Sequence, residues 1–140
     1  MNTAAFRLHS SHTLYSNLYR TAKGILLIYD ITNRETFDDI NLWLNDIKEK
    51  ANKNIVILLV GNRCDLENGR AVTFQEGKDF ADNNGIKFIE TSTKMNLNVD
   101  EAFEIVVDEV IKNNKDILDN ERRFVLTKKN VYKKKVGGCC

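Results

Sequence analysis

Three short apolar runs, Gly24–Asp30 (GILLIYD), 55–60 (IVILLV) and 86–90 (IKFIE), divide this chain of 140 residues. The first two are nearly continuous in apolar side chains. That is the pattern of strands covered on both faces, because a half-exposed strand would give every second position to water. Helical periodicity follows each run. Phe37, Ile40, Leu44 and Ile47, with Trp43 beside them, predict a helix over 35–51, and Thr32 with Glu35 has capping-box spacing. A second helix is predicted over 74–83, opened by another such pair, Thr73 and Glu76, and stopped at Gly85. Val99, Ala102, Phe103, Val106, Val107, Val110 and Ile111 predict a third, with Asn98 as its N-cap. These stripes read as core. Strand and helix alternating in this way imply right-handed βαβ units: an α/β fold of three parallel strands alternating with three helices on both faces of the sheet.

The length suits one domain. The formal net charge is only +1, but it is unevenly spread. From Asn120 onward Arg122, Arg123, Lys128, Lys129, Lys133, Lys134 and Lys135 face the single acid Glu121, giving +6, while residues 1–119 hold 14 basic and 19 acidic side chains, giving −5. A basic tail on a mildly acidic body suits an anionic partner, a membrane surface or a nucleic acid, or simply a solvated charge run. Three cysteines, with Cys139 and Cys140 adjacent, cannot form a disulfide scaffold and point to a reducing compartment. No run reaches the length of a transmembrane helix, and the polar start is no signal peptide.

Open α/β sheets bind ligands beyond the C-terminal ends of their strands. Gly61-Asn62-Arg63-Cys64-Asp65-Leu66 follows the second run, and Thr91-Ser92-Thr93-Lys94 follows the third. These loops resemble the two guanine-recognition loops of Ras-like GTPases, N-K-x-D and S-A-K. The likeness extends to Tyr19-Arg20-Thr21-Ala22-Lys23-Gly24 with the strand after it, to Asn98-Val99-Asp100-Glu101-Ala102-Phe103, and to Gly137-Gly138-Cys139-Cys140, all of which resemble the Rab family. It covers about residues 16–112 and the last four. The resemblance implies the C-terminal part of a Ras-like P-loop GTPase fold. Residues 1–18 would be an irregular remnant of the second switch region, 19–115 a truncated GTPase domain, and 116–140 a flexible basic tail.

The implied guanine-binding residues are Asn62, Arg63, Asp65, Ser92, Thr93 and Lys94. An Asp65 carboxylate can accept from N1–H and the exocyclic amine of guanine, a donor pair that adenine lacks. Asn62 can bond N7 and brace the second loop, the Arg63 stem can lie on the base, and the Thr93 N–H can meet O6. Asn62 and Asp65 would also suit an ordinary turn. Cys64 reads as a small buried hydrophobe, and His9 with His12 as exposed loop residues without further metal ligands. Cys139 and Cys140 would carry prenyl groups. The implied partners are then prenylation escort and recycling proteins and, through the tail, membrane lipid on the cytoplasmic face of endomembranes, or none of it in the cytosol if unprenylated. Effectors stay open, and the resemblance gives no role to nucleic acid.

Several family features are absent from these residues. Arg63 stands for the family's Lys, Thr93 for the Ala of S-A-K, and Thr21 for a Gly. No glycine opens a G-x-x-x-x-G-K-[ST] run, and no D-T-A-G-Q segment occurs. The expectation is a shortened family member with no catalytic residue and no magnesium site. The strand that should lie beside Gly24–Asp30 would be missing, and the fold marginal in stability. A bidentate base contact plus a stacked Arg63 stem is worth about 4 kcal/mol, roughly millimolar affinity, so GTP or GDP would bind weakly. The alternatives are a non-enzymatic, membrane-tethered interaction protein that engages Rab escort or recycling factors, and an unrelated flavodoxin-like domain.

Overall fold

The computed structural model describes residues 16–114. The element order is α1 (Ser16–Thr21), β1 (Gly24–Asp30), α2 (Arg34–Asp38), α3 (Ile40–Lys50), β2 (Val56–Asn62), a 3-10 turn (Glu67–Gly69), α4 (Phe74–Asn84), β3 (Lys87–Thr91) and α5 (Val99–Asn113). The sheet is parallel, as the alternation of runs implies, and its strands lie in the order β1-β2-β3.

Alternation along the strands divides the core in two. Leu27, Tyr29 and Leu59 point to one face, where Ile40, Leu44 and Ile47 of α3 and Ala81 of α4 cover them. Leu26, Val56, Leu58 and Val60 point to the other, against Ala102 and Val106 of α5. Leu58 and Leu59 are fully buried on opposite faces of the central strand, each worth about 1.5–3 kcal/mol relative to exposure. β1 is an edge strand among the described residues, and Ile28 keeps 39% exposure there. The expected cover on both faces is therefore nearly complete for β2, where Ile57 and the terminal Asn62 are partly buried, and partial for β1.

α4 forms as its sequence signals. The Thr73 side chain accepts from the Glu76 N–H, the Glu76 carboxylate accepts from the Thr73 N–H, and Gly85 ends the helix at φ 65°, where a Cβ would be strained. Elsewhere the structure corrects the sequence reading. The helix expected over 35–51 is two, broken at Asp39. Its cap is Asn33, whose side chain accepts from the Glu35 N–H, because Thr32 instead donates both N–H and Oγ–H to Asp30 Oδ1. Asn98 lies at φ 57° and makes no side-chain cap; its Nδ2 donates to the Glu90 carbonyl. Phe103, expected in the core stripe, is 44% exposed, and Ile105 packs against the core instead. α1 begins inside the stretch expected to be irregular. Among the described residues no helix is long and apolar enough to cross a membrane.

Candidate functional site

Parallel pairing sets one row across the sheet. Asp30 lies opposite Asn62, and Asn62 opposite Thr91, each the last residue of its strand. Asn62 was expected in a loop; it closes β2, and that placement holds its backbone in the ladder. The chain turns immediately beyond it. Arg63 lies in the left-handed region at φ 69°, and the Cys64 N–H donates back to the Thr91 carbonyl at 3.0 Å. The two loops thus leave the sheet already bonded to each other.

Their side chains complete the connection. Asn62 Oδ1 accepts from Thr91 Oγ1 at 3.2 Å and from the Thr93 N–H at 3.3 Å. The fully buried Ser92 donates its hydroxyl to Asp65 Oδ1 at 2.5 Å and accepts from the Met95 N–H at 3.1 Å. Backbone bonds in both directions between Ser92 and Leu97 close a tight turn over Thr93, Lys94, Met95 and Asn96. Asn62, Asp65, Ser92 and Thr93 are therefore one hydrogen-bonded cluster. Within it Asn62 Nδ2 and Asp65 Oδ2 have no partner among the described residues. The bracing expected of Asn62 is present. The Thr93 N–H expected to meet a ligand is held by Asn62 through a long bond.

Arg63 and Lys94 stand apart from the cluster. Lys94 is exposed at the turn tip. Arg63 is exposed over more than half its side chain, and its Nη1 reaches Asp30 Oδ2 at 3.3 Å. Cys64 packs against the larger core, and burial pushes its thiol above the ordinary range, with Glu90 and Asp65 adding to the effect. This suits a small hydrophobe and not a nucleophile. Among the described residues no group of three His, Cys, Asp or Glu is placed to hold a metal ion. Cys139, Cys140, His9 and His12 lie outside the described residues.

Sequence reasoning missed three residues. Asp30 ends β1 beside Asn62; searching the end of the first strand as well as the other two would have found it. Arg70 and Glu90 form a two-pronged ion pair at 2.6 and 2.9 Å beneath the loops. Their separation of 20 positions left no local signal.

The Ras family model matches residues 9–112 of the chain. The GTP-binding protein ypt2 of Schizosaccharomyces pombe is 40% identical over 119 residues, covering 85% of this chain and 58% of that protein. The Ras-related protein Rab-10 of Caenorhabditis elegans is 38% identical over 130 residues, covering 92% and 65%. The Ras-related protein Rab11A of Lotus japonicus is 46% identical over 108 residues, covering 76% and 48%. The chain spans between about half and two thirds of the length of these curated relatives.

Proposed function

The chain belongs to the Ras family, and from that premise we propose that it is the guanine-recognising part of a Rab-type small GTPase in vesicle-mediated transport. The observation that carries this reading is the cross-bonded pair of loops: Ser92 holds Asp65 by one carboxylate oxygen, and Asn62 holds the Thr93 turn by its carbonyl oxygen. The other oxygen of Asp65 and the amide nitrogen of Asn62 remain available. An acceptor and a donor of that kind suit the N1–H and amine edge and the N7 of guanine respectively. The exposed Arg63 stem would lie on the base, and Asp30 limits where its guanidinium can go. A bound guanine nucleotide would supply the phosphates on which GTP hydrolysis acts. These 140 residues contain no G-x-x-x-x-G-K-[ST] run to hold them, so their own contribution is selection of the base.

The reading extends to the tail. Gly137-Gly138-Cys139-Cys140 behind Lys133, Lys134 and Lys135 supports double prenylation, escort and recycling proteins as partners, and the cytoplasmic face of an endomembrane. Two lipid chains anchor stably where one does not, and the lysines add attraction to an anionic leaflet.

The test is an NMR titration of the full chain with GMP and with AMP. GMP should shift the amides of Asn62, Arg63, Asp65 and Thr93 with roughly millimolar affinity, and AMP should not. Asp65→Asn should remove the GMP preference, because an amide offers a donor where the base also offers donors. Equal responses to GMP and AMP, or a preference that persists in Asp65→Asn, would refute the proposal.

A further inference from the structure

We infer that Arg70 and Glu90 form a strut that sets the spacing of the two loops and makes Arg70 a specificity-determining positioning residue, an inference resting on the guanine reading above. The excursion after β2 runs from Arg63 through the 3-10 turn and closes where the Ala71 and Val72 N–H groups both donate to the Ile31 carbonyl, at 2.7 and 3.0 Å. Arg70 stands at that closure. Its Nε donates to both oxygens of Glu67 at 3.0 and 2.9 Å, and its Nη1 donates to the Val72 carbonyl at 3.0 Å. The fork then meets Glu90, Nη1 to Oε1 and Nη2 to Oε2.

Glu90 immediately precedes Thr91 and Ser92, and its carbonyl accepts from Asn98 Nδ2, which closes the second loop. One guanidinium therefore ties the outer turn of the first loop to the base of the second. Both side chains are largely shielded, at 14% and 12% exposure. Bonds to Glu90 hold the Arg70 guanidinium more firmly charged than usual, against the opposing effect of burial. Shielding makes this pair a geometric constraint where most surface ion pairs are not. Above it the Ser92–Asp65 bond fixes a single carboxylate oxygen, so the direction of the second depends on the distance between the loops. Recognition of N1–H needs one well-aimed bond. The added bond from the exocyclic amine needs the carboxylate plane to be held, and that is what the strut supplies.

The experiment compares wild type with Arg70→Lys and Glu90→Gln in the full chain. Lysine keeps the charge and loses the fork, and glutamine keeps the shape and loses the charge. GMP and IMP, which lacks the exocyclic amine, are titrated by NMR, and amide exchange is followed at Cys64, Thr93 and Leu59. Wild type should prefer GMP over IMP by on the order of tenfold. Both variants should fall to within about threefold, with exchange at Cys64 and Thr93 faster by about tenfold and exchange at Leu59 unchanged. An unchanged GMP to IMP ratio overturns the proposal, as does exchange that rises equally at Leu59, which marks general destabilisation. Absence of any GMP response in wild type overturns the guanine reading itself; the strut then stands or falls on the exchange at Cys64 and Thr93.

Discussion

Gly77 separates two effects of opposite sign. It lies inside α4, where alanine would ordinarily stabilise the helix by about 1 kcal/mol. A Cβ at this position would sit 2.6 and 2.8 Å from ring carbons of Phe88, and closer still to Tyr29 Oη. Carbon atoms at rest are about 3.5–4.0 Å apart, so the Phe88 ring would have to move by about 1 Å. Tyr29 has little room to move, while the partly buried Phe88 ring would have to press on its neighbour Phe74. Tyr29 is 2% exposed and meets Phe37 edge-on at 4.9 Å, and Phe88 is backed by Phe74 at 5.2 Å. Overpacking of this kind costs about 1–3 kcal/mol, and contacts this short place it at the upper end. The net expectation for Gly77→Ala is a loss of about 2 kcal/mol, or a Tm lower by about 8–16 °C for a fold of this size. Urea unfolding followed by the fluorescence of Trp43 gives the number, with an unchanged m value confirming that the change lies in stability. Tyr29 offers a second handle, because its hydroxyl is buried without a hydrogen-bond partner. Tyr29→Phe alone should be neutral or stabilising by up to about 1 kcal/mol, and in that background Gly77→Ala should cost about 1 kcal/mol less. A Gly77→Ala protein as stable as wild type, or more so, would show that propensity wins and refute the packing argument.

Three further outcomes are expected. The Glu76 carboxyl is lowered from 4.5 to about 2, first by the Thr73 N–H and then by Arg34; its contribution is present above pH 4.5 and lost as pH falls through 2. The stability difference between wild type and Glu76→Gln should therefore be flat at neutral pH and decay between about pH 4.5 and 2, and a difference that grows on acidification would contradict this. Gly85→Ala meets no atom within 4 Å, so its expected loss of about 1 kcal/mol is backbone strain at φ 65°, partly recovered by asparagine and measurable by the same urea titration. Expressed in cells, the wild-type chain should fractionate with membranes and carry prenyl mass on its C-terminal peptide, while the Cys139→Ser, Cys140→Ser double variant should be soluble; equal solubility without prenyl mass would end the lipid-anchor reading.

Local signals in the sequence determined the elements. Two near-continuous apolar runs and one shorter run gave three strands in the right order, because a covered parallel strand requires apolar side chains on both faces. Thr73 with Glu76 and the positive φ of Gly85 fixed α4 at both ends, since each device acts within four residues. The same locality explains the failures. Thr32 had the spacing of a cap, but Asp30 offered its hydroxyl a better acceptor; Asn98 looked like a cap and was drawn to the Glu90 carbonyl, eight residues back. The site divides in the same way. The two segments that carry Asn62, Asp65, Ser92 and Thr93 could be picked out because they lie at the ends of strands, where open sheets place ligands. Which oxygen of Asp65 is held, which is left open, and how Arg70 meets Glu90 were decided only when β2 and β3 paired in register. A hydrogen bond between residues 20 or more positions apart depends on the packing of the whole sheet, and no spacing within the chain encodes it.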